Sequence, residues 1–200
     1  MTASVSLPTR GLSNTIEQSS SITCDPESTV PLSDDLQEEV LYGRDHDHLR
    51  IFVSSRMNGS LDNERRVAAE TISSVSGHKA WWWEVDAPMG ALHSEQECVS
   101  FARTSDGIVL LIAGALSEIV LAEYHAASDA GAQRYVLVRD TPADTLPRKV
   151  KKFVADQQAE VVSRKFRNDD ELRTHLYNAL RRSLVRAIRL DGFNRRRAGT

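Results

Sequence analysis

The chain has 200 residues, 40% hydrophobic and 26% charged, a balance that suits one folded domain with tails and excludes fibrous and wholly disordered chains. No apolar run approaches the ~18 residues of a membrane helix, and the opening MTASVSLPTRGLSNT lacks the apolar core of a secretory signal. The net charge of −3 conceals −7 over residues 1–47, −5 over 48–147 and +9 over 148–200, which suits attraction between the ends, self-association or an anionic partner.

Residues 1–47 are rich in Ser, Thr, Asp and Glu and predict an acidic, mostly disordered segment. Its exception is Ser33 to Leu41 (SDDLQEEVL), where Ser33 suits the cap of a short helix with acids in its first turn. The folded domain is expected over 48–165. Leu49 to Ser54 has strand character. Leu61 to Ser76 has helical periodicity and stops at Gly77. Lys79 to Val85 (KAWWWEV) predicts a second strand. Ser94, with Glu97 three residues on, suits a capping box for a helix to Thr104. Gly107 to Ala113 predicts the third strand, Glu118 to Ala130 a helix, and Tyr135 to Val138 the fourth strand. A helix over Thr145 to Gln157 must take Pro147 in its first turn, and Glu160 to Ser163 predicts the fifth strand. Residues 166–200 form the last segment: a helix from Asp169 to Leu190, with Leu172, Leu176, Leu180, Leu184 and Ile188 as its apolar stripe, then a basic tail.

Strands alternating with helices predict an α/β, flavodoxin-like three-layer fold. Its five-stranded parallel sheet has the order 2-1-3-4-5, followed by a long C-terminal amphipathic helix. Such sheets bind ligands beyond the carboxyl ends of their strands. Two stretches fall there. The loop SSRMNGS after the first strand offers Ser54, Ser55, Arg56 and Asn58 as anion contacts. Glu123, near the start of the helix that follows the third strand, is the candidate catalytic carboxylate; the bland alternative is an acid favoured near a helix N-terminus. Of the consecutive Trp81, Trp82 and Trp83, packing against helices is the simpler reading, stacking on a base the functional one. Glu84 closes that strand as a second candidate acid.

Asp45-His46-Asp47-His48 lacks the second ligand pair of a zinc site, so no metal is expected. His93 and His125 have no nucleophile partner, and no phosphate-loop motif is present. The two cysteines, Cys24 and Cys98, predict no structural disulfide, consistent with a cytoplasmic protein. Nucleic acid could meet the arginines of the tail, but no reader motif supports it.

The segments IFVSSRMNGSLDNER, WWE, SDGIVLLIA and SEIVLAEYHAA resemble a bacterial family of uncharacterised TIR-like domains. That family lies within the wider group of TIR domains and nucleoside 2-deoxyribosyltransferase-like proteins. The resemblance spans Leu49 to Asp140. It implies cleavage of an N-glycosidic bond in NAD or a nucleotide, as substrate and with no resident cofactor. Glu123 would stabilise or attack ribose C1, and Ser117, six residues earlier, would orient ribose or phosphate. Asp106 matches an Asp that recurs before the third strand. A homo-oligomer and a role in stress or defence signalling are implied in the same way. The alternative is a non-catalytic module that self-associates or senses a nucleotide.

Overall fold

The computed structural model describes residues 47–87, 89–90, 94–140, 142 and 145–198. The expected helix over Ser33–Leu41, and Cys24, Asp45, His46 and His93, lie outside these.

The strands are β1 (Leu49–Ser55), β2 (His78–Trp81), β3 (Gly107–Ile112), β4 (Gln133–Arg139) and β5 (Arg164–Phe166). All pairs are parallel and the order is β2-β1-β3-β4-β5, as the alternation of elements predicts. The helices are α1 (Asp62–Ser73), α2 (Trp83–Asp86), α3 (Ser94–Arg103), α4 (Glu118–Asp129), α5 (Arg148–Gln158) and α6 (Asp169–Ala198).

Strand alternation explains the three layers. Ile51, Val53, Val109, Leu111 and Leu137 point to one face, where α1 and α6 bring Val67, Ala68, Ile72, Leu172, Leu176 and Leu180. Phe52, Ile108, Leu110, Val136 and Val138 point to the other, where α3, α4 and α5 bring Cys98, Ala102, Tyr124, Ala127 and Val150. Every residue of β3 is therefore buried, which is why it reads as a continuous apolar run. Gly107 opens β3 because a Cβ there would lie 2.8 Å from Ile51 Cδ1 and 3.1 Å from the Gln133 carbonyl. No described helix is long and apolar enough to cross a membrane.

Several boundaries differ from expectation. β2 ends at Trp81, which is sandwiched between Phe52 (4.8 Å) and Phe101 (4.6 Å). The Asp86 carboxylate then accepts from the Trp82 N–H at 2.9 Å and turns the chain into α2, so Trp83 and Glu84 are helical. Ser94 is the first helical residue of α3. Pro147 stands before α5 as its N-cap residue. The fifth strand is RKF instead of the more apolar EVVS. Pairing with Leu137–Arg139 places Phe166 in the core at 1% exposure and leaves Val162 at 74%. α6 runs on to Ala198, beyond the expected Leu190.

Candidate functional site

β1 ends in two serines, and the pleat sends them to opposite faces. Ser54 points toward α4, where its hydroxyl donates to Glu123 Oε2 at 2.5 Å. Ser55 points toward α1, where its hydroxyl accepts from Arg65 Nη1 at 2.9 Å. Both flank a cleft of ≈ 400 Å³ at the carboxyl edge of the sheet, walled also by Arg56, Met57, Trp83, Cys98, Ser117 and Ile119. That volume is within the range of small-molecule sites.

Glu123 is only 7% exposed. It occupies a core position of α4, in the i, i+3, i+4, i+7 series Val120, Glu123, Tyr124, Ala127. Burial penalises its charged form and raises its pKa from 4.5 to about 7, although the Ser54 and Cys98 side chains, bonded to the carboxylate, pull the other way. The group is thus divided between acid and base near neutral pH, the condition suited to proton transfer or charge stabilisation. The Cys98 thiol, buried and beside that carboxylate, is pushed up to about 12, so it is a packing and hydrogen-bonding group, not a thiolate nucleophile.

Arg65 is a buried cation at 3% exposure, held by Asp62, Glu84 and Ser55. It anchors the floor under the Ser55–Arg56 backbone. Arg56 is exposed at the rim, with no ion-pair partner among the described residues. Ser117 is the N-cap of α4, accepting from the Val120 N–H at a long 3.4 Å, which leaves its hydroxyl proton available to the cleft.

The fold therefore gathers Ser54, Ser55, Arg56, Ser117 and Glu123 around one opening. Three other expected residues stand apart. Asn58 folds back onto its own turn, accepting from the Ser60 N–H (3.2 Å) and hydroxyl (2.6 Å). Glu84, displaced by the early end of β2, pairs with Arg65 and reaches the cleft only through it. Asp106 precedes β3, at the amino edge and so a strand length from the cleft, where its carboxylate accepts from the Arg50 N–H at 2.8 Å. Its task is to join the starts of β1 and β3.

Arg65 and Cys98 belong to the cleft without having been expected there, and Trp83 is the one of the three consecutive tryptophans that lines it. Arg65 carries a signal in the sequence: it fills the core position between Leu61 and Ala69 in the apolar stripe of α1. An arginine there must have buried partners. Cys98 carries none, since its place in the cleft depends on where α3 docks, and which of the three tryptophans reaches the cleft depends on where β2 ends.

Among the described residues, no group of three or more His, Cys, Asp or Glu side chains is placed to hold a metal ion. Fold and cleft define a three-layer α/β domain with a buried carboxylate at the carboxyl edge of its sheet. The chain belongs to the family described as domain of unknown function (DUF4062), which it matches over residues 50–181, a span that includes every residue of the cleft named above. None of the curated proteins matches it.

Proposed function

We propose that the protein is an N-glycosidase acting on NAD or a nucleotide, with Glu123 as its central residue. The observation that carries this reading is a buried carboxylate, held by Ser54 and titrating near neutrality, at the base of a cleft of nucleotide dimensions. Resemblance of the Ser117–Glu123 spacing to TIR and deoxyribosyltransferase-like proteins supports it.

In this reaction the bond from ribose C1 to the base nitrogen breaks and the base leaves with the electron pair. Positive charge develops on the ring, and an ionised Glu123 stabilises it at short range from its buried position. Water then adds to C1 and releases a proton. Trp83 offers an aromatic wall to the planar base, Ser117 a hydroxyl to ribose, and Arg56 a cation to phosphate.

Purified protein incubated with NAD, and separately with nucleoside monophosphates, should release nicotinamide or free base, measured by chromatography over a range of protein concentrations. Glu123→Gln should reduce the rate by at least about 100-fold. Absence of product at every concentration, or an undiminished rate in the variant, refutes the reading. Thermal stabilisation by a nucleotide without product would instead mark the cleft as a sensor.

A further inference from the structure

Helix α6 leaves the domain. It starts at the carboxyl edge, where Asn63 donates to both carboxylate oxygens of Asp169 (3.1 and 3.0 Å). Leu172, Leu176 and Leu180 are fully buried. By Ser183 and Arg186 the helix has reached the amino edge, sharing a surface depression with Gln133 and Tyr135 at the start of β4. Residues 184–198 then project a further ~22 Å at 1.5 Å per residue. A projection of about 15 residues is marginal as an isolated helix. This one also exposes Leu184 (37%), Val185 (45%) and Ile188 (64%) on adjoining positions, flanked by Arg181, Arg182, Arg186 and Arg189. Arg182, Arg186 and Arg189 have no carboxylate partner among the described residues.

We propose that this face is covered by the chain's own segment Ser33–Leu41, docked along residues 181–189 of α6. Three observations select that occupant. The segment SDDLQEEVL carries four acids and no base, while residues 181–198 carry seven arginines and one acid. Its Leu36 and Val40 stand four apart, as Leu184 and Ile188 do, so two short apolar stripes meet with opposite charges beside them, as in paired helices. The chain also enters β1 at Leu49, on the same amino edge from which α6 projects. Only β3 separates β1 from β4, a step of about 10 Å. The seven residues 42–48 reach up to about 24 Å. The contact lies at the edge opposite Glu123 and is independent of the function proposed for the cleft.

Hydrogen exchange of the full chain tests it, read on peptides within 184–198. In the variant Asp34→Lys, Asp35→Lys, Glu38→Lys, Glu39→Lys these amides should exchange at least tenfold faster than in the wild type. Adding Arg181→Glu, Arg182→Glu, Arg186→Glu and Arg189→Glu should restore protection to within threefold. Wild-type protection should not depend on protein concentration. Equal rates in wild type and the lysine variant overturn the proposal. So does protection that grows with concentration alongside a dimer in sedimentation, which would assign the face to a second copy.

Discussion

The raised pKa of Glu123 makes its substitution a test of the site's electrostatics that needs no substrate. In the folded state the neutral carboxyl is favoured, because burial removes the charged form from water. The stability tied to that neutral form is fully present below pH about 4.5. It falls as pH rises through about 7 and is absent above. The rise from 4.5 to about 7, at about 1.4 kcal/mol per pH unit, amounts to roughly 3 kcal/mol over the full titration. Glu123→Gln keeps an oxygen to accept from Ser54 and never ionises. The advantage of the variant over the wild type should grow by about 2–3 kcal/mol between pH 5 and pH 8. Urea denaturation at the two pH values, with equal slopes for both proteins, measures this. Ser54→Ala removes a bond that lowers the Glu123 pKa, so in that variant the loss of stability should start at the same pH and extend to higher pH than in the wild type. A Gln advantage that is constant from pH 5 to pH 8 would refute the claim that the carboxyl is held neutral by burial.

Two further outcomes follow from packing. Gly107→Ala pushes a methyl onto Ile51 and the Gln133 carbonyl in the centre of the sheet, and should cost about 1–3 kcal/mol in the same denaturation assay, with the fold retained by circular dichroism. Cys98, buried with its thiol pushed up to about 12, should resist an alkylating reagent at neutral pH in the native protein and react once urea unfolds it, as mass spectrometry would show.

Much of the architecture is legible in the residues. The apolar run Gly107–Ile112 announces a strand buried on both faces, and its alternation with helical stripes announces a parallel sheet whose ligand edge lies past the carboxyl ends of β1 and β3. The Ser54–Arg56 end of β1, and Glu123 after β3, are found by that rule alone. The places where it falls short are those where a local pattern competes with a distant partner. KAWWWEV looks like one long strand until Asp86 captures the Trp82 N–H. EVVS is the better strand by composition, but Phe166 has the core position. Asp106 stands before the third strand, as expected, but that places it at the amino edge, where it bonds to the Arg50 N–H and not to anything in the cleft.

The sequence by itself therefore determined the fold class and the strand order, because the hydrophobic period and the handedness of parallel crossovers leave few other solutions. Only the tertiary structure decided which polar side chains share the cleft. Whether Glu123 is an ordinary surface acid or a group poised near neutrality depends on burial, which raises its pKa, and on the bonds from Ser54 and Cys98, which hold the rise to about 7. Those residues come from β1 and α3, and only close packing of α3 and α4 on the same face of the sheet brings them to it.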